Sequence, residues 1–387
     1  MYKRGDFVMK IIFQKNLLIE AVSYALCAVS SKNTLTSIQG ILIETVDNTR
    51  CRLSSFDLEK GVNIILEAKV EEEGSCIINA QRLSQIIRIM PESEVIIELN
   101  NDIASVKSGK SEFEVAAQRG DEFPSIPDLD TEIGFTVKQK DLFGMISQTL
   151  FAVSQTNQRP VFTGSLFDID GNKITVVGCD GYRLAVKEVV CEMSDATENM
   201  KEKVIIPGKT LSELMKIIGD TDDDITIKVS KKHVVFEIEK KDLTFFSRLL
   251  EGEYIDYERL IPKQFNTYVN AYSDILLSAL ERAALVSEEN TSTGSKSYVR
   301  LRVGDDLLDI SSVSAKGKVK DEISIEKDGS DIEIGFSCRY LIDSIKACKA
   351  DKVKLSLASP LISMLMEPAE DKENEKLTML VLPIKLK

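Results

Sequence analysis

The stretch KQKDLFGMISQTLFAVS, Lys138 to Ser154, is written three times over in this chain. Leu142, Met145, Ile146, Leu150 and Val153 recur three or four positions apart, which puts them on one face of a helix and leaves Ser147, Gln148 and Thr149 largely on the other. With the terminal Val-Ser in register, Leu18, Ala21, Val22, Ala25, Leu26 and Val29 repeat the pattern before Ser30. Ile275, Ala279 and Ala283 repeat it before Val286-Ser287, and the marks stand 124 and then 133 residues apart. A second helix follows each mark: Leu83, Ile86, Ile87 and Met90 share a face, as do Leu211, Leu214, Met215 and Ile218, and Leu341, Ile345 and Cys348. Its first Leu lies 53, 57 and 54 residues past the mark, always with an apolar residue (Ile78, Ile206, Phe336) five positions ahead. Three diverged copies of one domain therefore follow one another. The period is far longer than a solenoid repeat, so each copy holds its own core.

The chain of 387 residues accommodates three such domains, bounded at 9–130, 131–260 and 261–387, with residues 1–8 as an extension. The boundaries share punctuation, since RGDEFPSIPDLD (119–130) and LEGEYIDYERLIP (250–262) both run Gly, acid, aromatic, then Pro. Each copy reads strand, helix, strands, helix, strands: an α+β domain with two helices covering one face of an antiparallel sheet. Copies joined side by side would extend one sheet outside and turn the helices inward, making an arc.

Seven scattered cysteines without a Cys-x-x-Cys pair point to a reduced, cytoplasmic protein with neither a disulfide framework nor a zinc site. The start, MYKRGDFVMK, lacks the apolar core of a signal peptide, and no later segment has the length to span a membrane. A net charge of −13 argues against a general nucleic-acid binder, because phosphate contacts need Lys and Arg. Five of the six helical stretches are nevertheless net positive, which would focus positive potential on any surface they share.

No catalytic constellation emerges. His233 is the only histidine, which leaves neither a metal cluster nor a Ser-His or Cys-His nucleophile, and no Gly-rich loop is present to cradle a phosphate. No cofactor is expected. Two stretches stand out: GCDGYRLAV (178–186), where the Asp180-Gly181 turn is expected to throw Tyr182 and Arg183 outward, and LTMLVLPIKLK at the C-terminus, an apolar strand confined to an edge or a strand end by Pro383.

At these stretches a resemblance becomes specific. SIQGILIE, FDLE, VKSGKSEF, DEFPSIP, CDGYRLAV, VIIPGKTLSELM, RLLEGEYIDYERLIP, DIEIGFSCRYLID and LVLPIKL, in that order from about Met9 to Leu386, resemble the bacterial sliding clamp, the beta subunit of the replicative DNA polymerase. The resemblance implies a non-catalytic head-to-tail homodimer. Its ring, lined by helices with the sheet outside, encircles duplex DNA without reading sequence. The implied partners are the polymerase alpha subunit, the clamp loader, repair polymerases and mismatch-repair proteins, docking through short peptides. By the family's pattern the peptide groove falls to Gly181, Tyr182, Arg183, Leu184, Arg259, Leu260, Val381, Leu382, Pro383 and Ile384, completed by Phe162, Tyr340, Leu361 and Ser363. DNA-facing candidates are Lys32, Arg82, Arg88, Lys209, Lys216, Arg339, Lys346 and Lys349. The dimer contact would involve Lys107, Lys110, Phe113, Leu285 and Val286. Because SSVSAKGKVKDE (311–322) is lysine-rich where it would meet Lys107 and Lys110, that contact is expected to rest on Phe113 against Leu285 and Val286, with little sensitivity to salt. The competing readings are a three-domain interaction scaffold that does not encircle DNA and an enzyme with a carboxylate site.

Overall fold

The computed structural model describes residues 8–30, 35–129, 133–156, 158–191, 200–287, 298–315 and 317–386. Lys32 lies outside them. Each of the three copies consists of two modules of the same order, strand, helix, three strands, with one extra short strand in the third copy's first module. The first copy runs β1 (Val8–Gln14), α1 (Lys15–Ala25), β2 (Gly40–Asp47), β3 (Arg50–Phe56), β4 (Lys60–Glu72), then β5 (Ser75–Asn79), α2 (Ala80–Ile89), β6 (Glu94–Asn100), β7 (Ile103–Ser108) and β8 (Ser111–Arg119). The second runs β9 (Ile133–Lys138), α3 (Gln139–Thr149), β10 (Gly164–Asp170), β11 (Lys173–Cys179), β12 (Arg183–Val190), then β13 (Lys201–Pro207), α4 (Gly208–Ile217), β14 (Asp224–Val229), β15 (His233–Ile238) and β16 (Leu243–Arg248). The third runs β17 (Thr267–Tyr272), α5 (Ser273–Ala284), β18 (Val299–Val303), β19 (Leu307–Ser314), β20 (Gly317–Ser324), the short β21 (Glu326–Gly329), then β22 (Ile332–Phe336), α6 (Cys338–Cys348), β23 (Lys352–Leu357), β24 (Met364–Pro368) and β25 (Glu375–Val381).

Helices α1 and α2 bury the expected stripe, but on α3 Gln148 and Thr149, read as part of the polar face, are buried, Gln148 donating to the carbonyls of Ala347 and Cys348 and Thr149 to that of Met145. Leu18, Ala21, Val22 and Ala25 are covered on α1, and Leu83, Ile86 and Ile87 on α2, while Arg82 and Arg88 face out. Asn79 caps α2 by accepting from the Arg82 backbone N–H (3.0 Å), and Ser337 caps α6 by accepting from that of Tyr340 (3.4 Å). On α5 the stripe is Leu276, Ala279, Leu280 and Ala283, so Ile275, expected inside, is exposed. The ideal helical angle carries the adjacent Leu276 round to the sheet instead. Helices α1 and α3 end four residues before their Val-Ser marks and tighten into 3₁₀ turns at Leu26–Ala28 and Leu150–Ala152. Strands β20 and β21 went unread in the sequence, because charge alternates with only Val319 and Ile323 as apolar punctuation.

The chain gathers into two compact units, the first comprising residues up to Lys140 with Lys209–Leu249 and the second Asp141–Gly208 with residues from Leu250 onward. Each unit takes one complete end copy and part of the middle one. In the first unit, β1-β6-β7-β8-β5-β2-β3-β4 form a circuit of antiparallel pairs that returns from β4 to β1. The other flank of β4 takes up β16 (Val62↔Phe245, Ile64↔Leu243), then β15, β14 and β9. In the second unit a nine-stranded sheet runs β13-β10-β11-β12-β25-β24-β23-β17-β21, beside a four-stranded sheet β20-β19-β18-β22.

Both seams obey one rule. The third strand of one copy's first module pairs antiparallel with the last strand of the next copy: β4 with β16, and β12 with β25. Two strands of these classes remain. Among the described residues β20 pairs only with β19, and β8 beyond its contact with β7 meets β5 only through Ala117–Arg119, so Ser111–Ala116 present an open edge.

Candidate functional site

The seam between β12 and β25 ends at Arg183↔Val381. From there the backbone N–H of Leu382 donates to Tyr182 O (2.9 Å) and that of Ile384 to Gly335 O on β22 (2.7 Å). The tail thus passes from one sheet to the other. Pro383, with no N–H to give, lies between these two anchors, where nothing requires one. The turn into β12 is made by Gly181 at φ +88° and fixed by Asp180, whose carboxylate accepts from the backbone N–H groups of Tyr182 (2.8 Å) and Arg183 (3.0 Å).

Tyr182 is exposed as expected, but Arg183 is not. Its side chain is buried, donating from Nε to Asp180 (3.0 Å) and from Nη1 to Asp343 of α6 (2.6 Å), with the guanidinium 4.5 Å from the Tyr340 ring centre and 5.3 Å from that of Phe151. Strand alternation carries residue 183 inward, and two carboxylates with two rings make that burial tolerable. Tyr340 in turn stacks on Tyr182 at 6.3 Å. Arg183 therefore supports the wall from beneath.

Next to this wall lies an apolar cluster separate from the core of the third copy: Phe162, Leu166, Val177, Cys179, Leu184, Val186, Ile205, Leu365 and Leu380. Tyr254, Ile255, Tyr257, Ile261 and Phe265 pack on it half-buried. Phe162 meets Tyr254 edge to face at 5.7 Å, and Tyr254 Oη donates toward Val177 O (3.3 Å). Burial pushes the Tyr257 phenol up to about 12 and raises Tyr254 further, so both stay neutral. Leu260, Leu361, Ile362 and Leu382 are exposed large apolar side chains around this cluster's loops and tail. Arg259 points to solvent and pairs with Asp256 (2.8 Å), and Ser363 is half-buried just before β24.

Contacts thus join Phe162, Tyr182, Arg183, Leu184, Tyr340, Val381, Leu382 and Ile384 into two adjoining walls, whereas Arg259, Leu260, Leu361 and Ser363 come near only through their chain neighbours. Sequence reasoning missed Asp343 and Ile362. Asp343 was findable, being on the helix beside Tyr340; Ile362 carries no local pattern.

All the described DNA-facing candidates are exposed, opposite the buried stripes of α2, α4 and α6. Lys216 pairs with Glu213 (2.7 Å), Arg339 with Asp343 (3.8 Å) and Lys346 with Glu281 (2.8 Å), and Lys349 donates to Ser147 Oγ (3.1 Å). Arg82, Arg88 and Lys209 make no ion pair among the described residues. Of the remaining candidates, Lys107 on β7 is held by Glu98 (2.5 Å) and Glu112 (3.3 Å), Lys110 is exposed, and Phe113 and Leu285 are exposed with Val286 half-buried. No helix among the described residues is long and apolar enough to cross a membrane.

Three family models match in succession: the N-terminal domain of the DNA polymerase III beta subunit over residues 9–127, its central domain over 136–256 and its C-terminal domain over 258–384. The beta sliding clamp of Staphylococcus epidermidis is 31% identical over 98% of this chain and 100% of its own length, and that of Halalkalibacterium halodurans is 29% identical over 94% and 96%. The DNA polymerase sliding clamp of Bacillus subtilis superposes with a TM-score of 0.90 at 29% identity, covering 98% of this chain and 100% of its own. The beta subunit of Streptococcus pyogenes does so at 0.88 and 26%, covering 97% and 100%. With three tandem clamp domains matched in order and relatives aligned end to end, the chain belongs to the DNA polymerase III beta subunit family: it is a DNA sliding clamp, a non-catalytic processivity subunit.

Proposed function

We propose that two copies of this chain close head to tail into a ring around duplex DNA in the cytoplasm, with domains at 9–130, 131–260 and 261–387 of each. The observation that carries this is the seam rule: both internal seams join a first-module strand to the last strand of the next copy, and β20 and β8 are the two strands of those classes left open. A second chain supplies each with its missing partner. Exposed cations on α2, α4 and α6 face the phosphates without reading bases, so retention is topological and a chain of net charge −13 can serve DNA.

The groove beside the β12–β25 seam takes an extended peptide. Apolar anchors enter the Phe162, Leu184 and Leu365 cluster, and the exposed rim of Tyr182, Leu361 and Leu382 closes over them. The polymerase alpha subunit, the clamp loader, repair polymerases and mismatch-repair proteins are the partners proposed for it. Electron-microscope class averages with solution mass test the ring: closed rings at 2 × 43.1 kDa are expected, and compact particles without a hole would leave the scaffold reading instead.

A further inference from the structure

A cavity of about 440 Å³ lies on the β12–β25 seam, four residues along β12 from Arg183, and shares no lining residue with the groove. Its volume falls in the range of about 300–1,000 Å³ that small-molecule sites occupy. All of its lining belongs to the second unit. The floor is buried: Lys187 and Leu377 face each other across the seam, with Gln148 of α3 and Cys348 at the end of α6 beside them. The rim is exposed and carries Asp351, Glu370 and Asp371, none of which makes an ion pair among the described residues.

Lys187 is what calls for a ligand there. Only 4% of the residue is exposed, yet among the described residues its ammonium donates to Glu375 alone, which leaves two of its three N–H groups without an acceptor. Glu375 is shared with Lys372 (3.0 Å), so two cations stand around one carboxylate and this end of the cavity keeps a positive excess. The lining as a whole holds five lysines and five carboxylates. A polyanion would be repelled by the rim acids and a polycation by the lysines, whereas a molecule with one charge of each sign gains from both ends. We infer that this cavity binds a small zwitterion, an amino acid or a short peptide, with its carboxylate on the Lys187 ammonium and its amine toward Asp351, Glu370 and Asp371. Lys187 and Gln148 come from the middle copy and the rim acids from the third, so an occupant ties the two copies together at their seam. Neither the ring nor the peptide groove is needed for this.

Isothermal titration calorimetry of the full chain with L-lysine and with the dipeptide Gly-Lys tests the assignment, with n-butylamine and acetate as probes of a single charge. The zwitterions should bind with dissociation constants on the order of millimolar, at least about tenfold more tightly than either single-charge probe, and should raise the melting temperature in step with their concentration. Whichever of the two binds more tightly tells a free amino acid from a peptide end. K187M should abolish the binding. The double variant E370Q/D371N alters only exposed rim positions and keeps the test decisive where K187M does not fold: it should weaken the zwitterions about fivefold and leave the melting temperature of the unliganded chain unchanged. Zwitterions bound no more tightly than butylamine or acetate, or an affinity that E370Q/D371N leaves unaltered, would overturn the inference. The proposed function would stand in either case, because ring closure and groove peptides are measured separately.

Discussion

Arg183 ties two carboxylates and two aromatic rings of the site together. Its guanidinium lies under Tyr340 between Asp180 and Asp343, so replacing Asp343 with Asn leaves a buried cation half compensated. That substitution should lower stability by about 3 kcal/mol in denaturant titration, and peptide affinity should fall with it as Tyr340 loses its support. A second buried cation, Lys187, is paired with Glu375. Burial alone would raise the Glu375 carboxyl, but hydrogen bonds from Lys187 and Lys372 outweigh it and hold it below the ordinary glutamate range. A depressed carboxylate contributes stability above its unfolded pKa and loses it as pH falls through the folded one. Stability should therefore begin to fall as pH enters the ordinary glutamate range and go on falling below it, and E375Q should flatten that limb while lowering stability at neutral pH. The CDGYRL motif was legible in sequence, but the inward turn of Arg183 was not: it depends on a carboxylate 160 residues away.

At the scale of elements, periodicity located the helices because their apolar stripes are strong. It missed β20 because an open edge strand has one weak face and no second sheet to bury. Close packing at the end of α3 makes a sharp test. A side chain at Gly178 on β11 would come within 2.4 Å of Thr149 O, a backbone atom that cannot move aside, so G178A should cost about 2 kcal/mol of thermal or denaturant stability. The tail offers the opposite case. Removing Pro383 to Lys387 takes away one bridge to Gly335 and leaves β25 fully paired, so folding and mass should hold while affinity for a clamp-binding peptide, followed by fluorescence anisotropy, drops at least about tenfold.

For the whole molecule, the threefold repeat and its sheet-and-helix content were legible because the copies share register. The seams were not, since strand pairing across copies leaves no spacing signature. The cations on α2 and α4 should act weakly and additively. Replacing Arg82, Arg88 and Lys209 with Ala should lessen the salt dependence of DNA binding by about one released counterion for each phosphate left without its cation, with no change in mass. Internal seams and the proposed joint are built alike, from two strand edges and an apolar inner face. What distinguishes them is the covalent chain. The β4–β16 and β12–β25 edges belong to one polypeptide and meet at a local concentration on the order of millimolar whatever the dilution, whereas β8 and β20 of two chains meet only as fast as diffusion allows. In the proposed ring, the joint that parts first need not be the one with poorer contacts. It is the one that nothing brings back once it has parted.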